Sequence, residues 1–250
     1  KKMSKSKGNL ITPQSYFDSV GADALRLFHL FVGPPGDDMD WTAQTDEVID
    51  GCGRFLDRVW RLAVPDGAES DTPPGRHAEP GPEDVALQRA THRLVAKVTE
   101  DIERWSFNTA VAACQEFSNT MQRYRRQASG GLHQPSYAAA ADALLLVLAP
   151  MTPHVAAEAW ERRKGEGARI HGERWPTFDP ELAKAETVTM IVQVDGKVRD
   201  RMEVDVEIDE AEARRLALSS PKVAQALDGG APAQVIVRAP RLVNVVLPRT

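Results

Sequence analysis

The chain has 250 residues, a formal net charge of -5, and hydrophobic and charged fractions of 42% and 27%, which are typical of a globular protein with about two domains. No apolar run approaches the roughly 20 residues that cross a bilayer, and no signal-peptide segment is present, so we expect a cytoplasmic protein. Because the charge balance is acidic, any RNA-binding surface must be local.

A loop rich in lysine and serine opens the chain, with the sequence Lys1-Lys2-Met3-Ser4-Lys5-Ser6-Lys7-Gly8-Asn9. Its ammonium groups surround hydroxyl groups, and Gly8 permits a tight backbone turn. Such a segment is suited to stabilising the negative charge that develops on a leaving pyrophosphate. The alternative is a solvated basic terminus, which the composition alone favours.

A helix is predicted soon after this loop, because Ala24, Leu25, Phe28 and Phe31 fall on one helical face. The helix is expected to end at Gly33-Pro34-Pro35-Gly36. An apolar helical pattern so close to the lysine loop argues against a disordered terminus.

The middle of the chain has helical periodicity from Thr45 to about Glu173. Three apolar stripes are clear, and they consist of Val48, Ile49, Cys52, Phe55, Leu56, Val59 and Trp60; of Leu87, Ala90, Leu94, Val98, Ile102 and Trp105; and of Val111, Cys114, Phe117, Met121 and Tyr124. These stripes imply an antiparallel helical bundle. Since Cys52 and Cys114 lie on the stripes and far apart in sequence, we interpret them as small buried hydrophobes and predict no metal site.

The connections within the bundle carry their own signals. Residues 65–82 are rich in Pro, Gly, Asp and Glu and cannot bury enough apolar surface to offset their ordering, which predicts a mobile loop. A fourth helix is predicted over about 137–149, before Pro150. Thr152 is expected to cap a fifth helix, with Pro153 at its first position.

The last part of the chain, residues 187–250, changes to the period of two that is typical of strands. Asp195-Gly196 indicates a two-residue hairpin turn, and Asp209 with Glu212 resembles a capping box. The predicted elements are strands over 188–194 and 197–208, helices from Asp209 and from Ser220, and strands over 235–238 and 242–247. Together they predict a small α+β domain of order ββααββ.

Two groups of basic residues are candidates for RNA contact. Arg54, Arg58 and Arg61 are spaced i, i+4 and i+7, so they line one face of the first bundle helix and suit a phosphate backbone. The alternative is a solvated helix face, since such stripes are common.

The second group lies in the predicted hairpin. Lys197, Arg199 and Arg201 are two residues apart, which predicts that they project from one face of their strand. A two-residue turn, however, pairs Val194 with Lys197 and places Met190 and Val192 on the face of this basic row. Either both faces are partly covered or a bulge shifts the register, and the sequence leaves both open.

Segments along essentially the whole chain carry a resemblance to a known family. They are Gly21-Ala22-Asp23 with Leu25-Arg26-Leu27-Phe28, Gly33-Pro34-Pro35 with Trp41, Arg54-Phe55-Leu56 with Trp60-Arg61-Leu62, Val98-Thr99-Glu100-Asp101-Ile102-Glu103, Phe107-Asn108-Thr109-Ala110, Leu148-Ala149-Pro150 with Pro153-His154, Val192-Gln193-Val194 with Gly196-Lys197-Val198-Arg199, and Leu242-Val243-Asn244-Val245-Val246. The lysine loop resembles the signature loop of class I aminoacyl-tRNA synthetases, and with these segments the chain resembles the C-terminal portion of bacterial leucyl-tRNA synthetase. Asp195 and Asp200 stand where the family usually has Asn and Gly, which adds negative charge beside the basic row.

The resemblance implies a mainly α fold in three parts. Residues 1–41 would hold the lysine loop and the end of the catalytic core, and residues 42–176 would form a helical-bundle anticodon-binding domain. Residues 187–250 would form the small α+β domain, which contacts the elbow of the tRNA.

The resemblance also implies an activity for the intact enzyme, which is leucine activation with ATP and transfer of leucine to tRNA(Leu). Lys2 and Lys5 would stabilise the pyrophosphate, while Met3, Ser4 and Ser6 would complete the ATP-binding loop. Mg²⁺ would accompany ATP, with no ligand nominated in this chain. The two basic groups described above would contact the tRNA.

Several parts of that family are missing from this sequence. The nucleotide-binding core, its His-Ile-Gly-His motif, the leucine pocket and the editing domain would all precede Lys1. We therefore expect a fragment or processed product of a longer enzyme, inactive by itself. Two alternatives stay open, which are a class I synthetase of valyl, isoleucyl or methionyl specificity and a non-catalytic RNA-binding module derived from a synthetase.

Overall fold

The computed structural model describes residues 3, 6, 8, 10–34, 36–37, 40–64, 75–76, 79–128, 131–184, 187–206, 208–227, 230 and 232–247. The chain forms two compact units, Lys1–Ala183 and Lys184–Thr250. No helix within the described ranges is long and apolar enough to span a membrane. The division into three parts, with residues 1–41 separate from the bundle, stays a prediction.

The first unit is built from helices. Its elements are α1 (Gln14–Ser19), α2 (Ala22–Phe31), α3 (Ala43–Ala63), α4 (Pro82–Glu103), α5 (Phe107–Gln127), α6 (Gln134–Leu148), α7 (Pro153–Lys164) and α8 (Pro180–Ala183), with a 3-10 turn at Ile170–Gly172. The apolar stripes of α2 to α7 share one core, in which Phe28, Met121 and Leu144 are fully buried. The prediction of a mainly helical bundle is confirmed.

The two cysteines lie in this core. Cys52 and Cys114 are only 1% and 0% exposed. Because burial disfavours the thiolate, it raises the pKa of Cys52 to about 11 and that of Cys114 to about 12. Both side chains therefore act as small buried hydrophobes, as predicted.

The prediction that Trp105 continues the buried stripe of α4 is wrong. Trp105 is 68% exposed and has a φ of 58°, in the left-handed region. Its N–H donates to the Ile102 carbonyl (3.1 Å), and the Ser106 N–H donates to the Asp101 carbonyl (2.8 Å). These two bonds form a Schellman motif, in which Trp105 occupies the position that glycine usually takes. The chain leaves the helix before the stripe is complete.

Most of the loop predicted to be mobile, residues 65–82, lies outside the described residues. In its described part, β1 (Gly75–Arg76) pairs in parallel with β2 (Leu132–His133). Helix α4 then begins at Pro82.

Helix α7 is capped in a way that the sequence did not indicate. Thr152 occupies the N-cap position, but its hydroxyl donates to the Leu148 carbonyl (3.2 Å) and accepts nothing from the new helix. Instead, the Asp23 carboxylate accepts the N–H groups of His154 (2.9 Å) and Val155 (2.7 Å). The predicted local cap is therefore replaced by a side chain from α2, which satisfies two free N–H groups of the first turn.

The second unit is a four-stranded sheet with two helices. Its elements are β3 (Thr187–Val194), β4 (Lys197–Asp205), α9 (Glu210–Ser219), α10 (Pro221–Leu227), β5 (Gln234–Arg238) and β6 (Leu242–Val246), and the strand order is β4-β3-β6-β5. Strands β3 and β6 are parallel, whereas the two outer pairings are antiparallel. The predicted ββααββ order is confirmed. Both helices contribute to one core with the sheet, where Met190, Val192, Val243, Ala213 and Ala217 are fully buried.

Local chemistry explains the hairpin turn and the start of α9. Asp195 and Gly196 have φ values of 47° and 76°, as a tight turn between right-twisted strands requires. Asp209 accepts the N–H of Glu212 (2.8 Å) through its carboxylate, which is the predicted cap of α9.

Candidate nucleic-acid interface

Of the five residues predicted to bind ATP, the structure describes Met3 and Ser6. Met3 is half-buried and Ser6 is exposed. Lys2, Ser4 and Lys5 lie outside the described residues. The role of this loop in binding pyrophosphate therefore stays a prediction.

The three arginines predicted on one helix face lie on α3, and their surroundings differ. Arg54 and Arg61 are exposed, whereas Arg58 is half-buried. The Arg58 guanidinium carbon lies 5.5 Å from the centre of the Phe55 ring, in a cation–π contact. Burial, and then the positive charge of Arg61, lowers the pKa of Arg58.

Arg58 also keeps unused hydrogen-bonding capacity. Its Nε is buried and has no hydrogen-bond partner in the described part of the protein. Burial is the main cause of the lowered pKa of Arg58 and the charge of Arg61 is the second, so an anion near both arginines would offset their repulsion. A phosphate group has the charge and the acceptor oxygens for that position.

Arg54 has a different environment. It lines a cleft of about 540 Å³ together with the carboxylates of Asp23, Asp50 and Asp57. Three carboxylates and one guanidinium make this cleft unfavourable for phosphate. Arg54 is therefore less suited to an RNA backbone than Arg58 and Arg61 are.

The sequence reasoning did not select the basic end of α5. Arg125 Nη1 donates to the Arg61 carbonyl (2.9 Å), which joins the last turns of α5 and α3. Arg126 next to it is exposed. Basic residues also interact favourably with helix C-termini, so this group has a structural role beside any contact with an anion. The available signal was the basic sequence at the end of the third apolar stripe.

A β-bulge at Arg199 interrupts the basic row of β4. The hairpin register pairs Lys197 with Val194 and Arg201 with Ile191, so Arg199 is the extra residue. Because Val194 and Ile191 are three residues apart, Lys197 and Arg201 lie on opposite faces of the sheet. The prediction that the basic row projects from one face is wrong, and the bulge is the alternative that the structure contains.

The acidic residue within this row is used inside the unit. The Asp200 carboxylate accepts hydrogen bonds from Lys222 Nζ (2.7 Å), Ser220 Oγ (2.6 Å) and the Arg201 N–H (2.9 Å). These three donors, with Lys222 contributing most, hold the pKa of Asp200 at about 2. The negative charge of Asp200 is therefore offset by α10. Asp195 in the turn accepts the Leu247 N–H (2.9 Å).

Two family models match parts of the chain, and the anticodon-binding match extends from the helical unit into the C-terminal unit. The anticodon-binding domain of tRNA ligase matches residues 84–213, and the class I tRNA synthetases for I, L, M and V match residues 1–42. Leucine–tRNA ligases of Dehalococcoides mccartyi and Acidothermus cellulolyticus are each 41% identical to this chain, over 98% and 99% of its length.

Solved structures give a further likeness. A crystal structure of a ternary complex of LeuRS, tRNA and LeuAMS from Agrobacterium radiobacter K84 superposes with a TM-score of 0.62, at 27% identity over 98% of this chain. The alignments cover only 29%, 28% and 31% of the three relatives, so the chain spans less than a third of their length.

Proposed function

Because this chain belongs to the tRNA ligases that carry the anticodon-binding domain and matches the C-terminal part of leucine–tRNA ligase, we propose that it is part of an enzyme that activates leucine with ATP and transfers it to tRNA(Leu). The observation that carries this proposal is the 41% identity to leucine–tRNA ligases over 98% of the chain. The same observation does not favour the valyl, isoleucyl or methionyl alternatives.

In this proposal the lysine loop acts in the first step of the reaction. Lys2 and Lys5 place positive charge against the pyrophosphate as it leaves, and Met3, Ser4 and Ser6 complete the ATP-binding loop. Mg²⁺ would accompany ATP. No ligand for this ion is assigned in the present chain.

The remaining parts of the chain would bind tRNA. We assign residues 42–176 to anticodon binding and residues 187–250 to the tRNA elbow, and residues 1–41 to the end of the catalytic core. The candidate contacts are Arg58 and Arg61 on α3 and Arg199 and Arg201 on β4, all of which carry positive charge toward an RNA backbone. An enzyme with this substrate would act in the cytoplasm.

The test of this proposal distinguishes the role of the lysine loop in adenylation from the role of the other residues in tRNA binding. In the full-length protein, Lys5→Ala should lower the rate of leucyl-adenylate formation by about 10²- to 10³-fold, the usual loss for one preorganised donor to developing charge. Its affinity for tRNA should stay within twofold of the wild type. Arg214→Ala is the control, because it removes an exposed positive charge that lies outside the lysine loop.

Two outcomes would contradict the proposal. An unchanged adenylation rate in Lys5→Ala would remove Lys5 from the pyrophosphate site. Leucine-dependent pyrophosphate exchange by the purified 250-residue chain would show that the chain needs no further catalytic core, contrary to the assignment of residues 1–41 as only its end.

A further inference from the structure

The strand register defines a second face of the sheet in the C-terminal unit. Alternate residues of β3, namely Met190, Val192 and Val194, are buried in the core with α9 and α10. Because successive side chains point to opposite faces of a strand, Ile191 and Gln193 lie on the other side of the sheet. We name that side the outer face.

A row of four residues crosses the outer face with an arginine at each edge. Ile191 pairs with Arg201 on β4 and with Leu242 on β6, and Leu242 pairs with Arg238 on β5. Both arginines are exposed, and neither side chain has an ion pair or hydrogen bond with the described residues. Three strand spacings separate them, which places their Cα atoms about 14 Å apart.

A neighbouring row places two amides at the centre of the same face. Gln193 of β3 lies beside Asn244 of β6, with Val198 and Ile236 in the edge strands. The two edge residues are 48% and 40% exposed, so water reaches this row. Asn244 Oδ1 accepts the Gly196 N–H (3.2 Å), which leaves its side-chain nitrogen as a donor without a partner among the described residues.

The chemistry of these rows matches RNA. Arginine side chains contact phosphates, and the donor and acceptor of an amide match the edge of an unpaired base. Exposed aliphatic side chains beside the amides offer apolar contact to a base. Neither row contains a carboxylate, and Glu203, which also lies on the outer face, accepts a hydrogen bond from Thr189 (2.7 Å).

We infer that the outer face binds a loop of tRNA, with Arg201 and Arg238 on phosphates and with Gln193 and Asn244 on base edges. This inference rests on the proposed function, which supplies tRNA as the ligand. It replaces a basic row along one strand by a row across all four strands. It also adds Arg238, which the sequence reasoning did not select.

The experiment is a titration of a labelled tRNA(Leu) transcript with the 250-residue chain at salt concentrations from about 50 to 200 mM. The test variant is Arg201→Gln with Arg238→Gln. The control is Arg214→Gln with Arg174→Gln, which removes the same charge from two exposed arginines outside the outer face. All variants are first compared with the wild type by circular dichroism and thermal unfolding.

The expected result follows from counterion release. Each lost phosphate contact reduces the slope of log affinity against log salt by about 0.9, so losing two contacts reduces the affinity lost between 50 and 200 mM salt by roughly tenfold. The control should keep the wild-type slope. Gln193→Ala should weaken binding and leave the slope unchanged, because an amide releases no counterion.

A crosslinking measurement gives an independent readout. A photoreactive phenylalanine analogue in place of Ile236 should crosslink to the tRNA, and the same analogue in place of Arg214 should not. If the wild-type chain binds tRNA but the test variant has the slope of the control, the inference is overturned and the proposed function stands. If the wild-type chain does not bind tRNA at all, the inference is overturned, while the proposed function is decided separately by the adenylation assay of the full-length protein.

Discussion

Replacing Asp23 by alanine should destabilise the N-terminal unit by about 2–3 kcal/mol. Asp23 is only 4% exposed, and one of its oxygens accepts two N–H groups from the first turn of α7. Hydrogen bonds to charged groups contribute about 1.5–3 kcal/mol each, so the loss of both costs about 4 kcal/mol. The other oxygen, Oδ1, is buried without a partner in the described ranges, and its removal recovers about 1–2 kcal/mol of desolvation.

Urea unfolding followed by circular dichroism measures this change, and thermal unfolding gives a second value. For a unit of this size, about 2–3 kcal/mol corresponds to a decrease of about 4–12 °C in the unfolding temperature. Asp23→Asn keeps an acceptor oxygen and should retain most of the stability. Asp57→Ala, an exposed change on α3, should stay within about 0.5 kcal/mol of the wild type. An Asp23→Ala variant as stable as this control would refute the reasoning, because the α7 amides would then have other partners.

Three further predictions concern the Schellman turn, the Asp200 cluster and the cysteines. Trp105→Gly should stabilise the N-terminal unit by about 1 kcal/mol in urea unfolding, since glycine adopts a φ of 58° without steric cost. The pKa of Asp200 is lowered to about 2 in the folded chain, so the ionised Asp200 contributes its full stabilisation of the fold above the ordinary pKa of 3.8. This contribution is lost as the pH falls from about 4 to about 2. Acid unfolding of Asp200→Asn should lack this loss of stability. Cys52 and Cys114, with pKa values of about 11 and about 12, should not react with a thiol reagent at pH 8 until the chain is denatured, and fast native labelling would show that they are accessible.

The longer helices and the strands of the four-stranded sheet were predictable because their signals are local, whereas the short elements α1, α8, β1 and β2 were not predicted. The periodicity of apolar residues in α3, α4 and α5 and the alternation in β3 depend only on neighbours a few positions away. Asp195-Gly196 specified its turn in the same way, since both residues tolerate a positive φ. Patterns of this kind determine the order of elements without information about distant contacts.

The cap of α7 could not be predicted because it joins distant parts of the chain. Asp23 and His154 are separated by 131 positions, and no local pattern connects them. The local rule assigned the cap to Thr152, a residue type that favours this position. That rule failed because the Thr152 hydroxyl has a nearer acceptor in the preceding helix, the Leu148 carbonyl. The prediction that Trp105 is buried was wrong for a related reason, since the apolar pattern cannot show that the backbone turns at that residue.

The bulge at Arg199 connects the fold of the C-terminal unit to its candidate RNA surface. Without it, the two-residue turn would place Arg201 opposite Met190, which is fully buried. The extra residue changes the register, so that Met190 pairs with Met202 and Arg201 pairs with Ile191 on the outer face. The same shift turns Asp200 toward Ser220, which precedes α10, and Lys222 in α10. The irregularity therefore keeps Arg201 out of the core, and it is also the reason that an arginine of β4 lies in line with an arginine of β5.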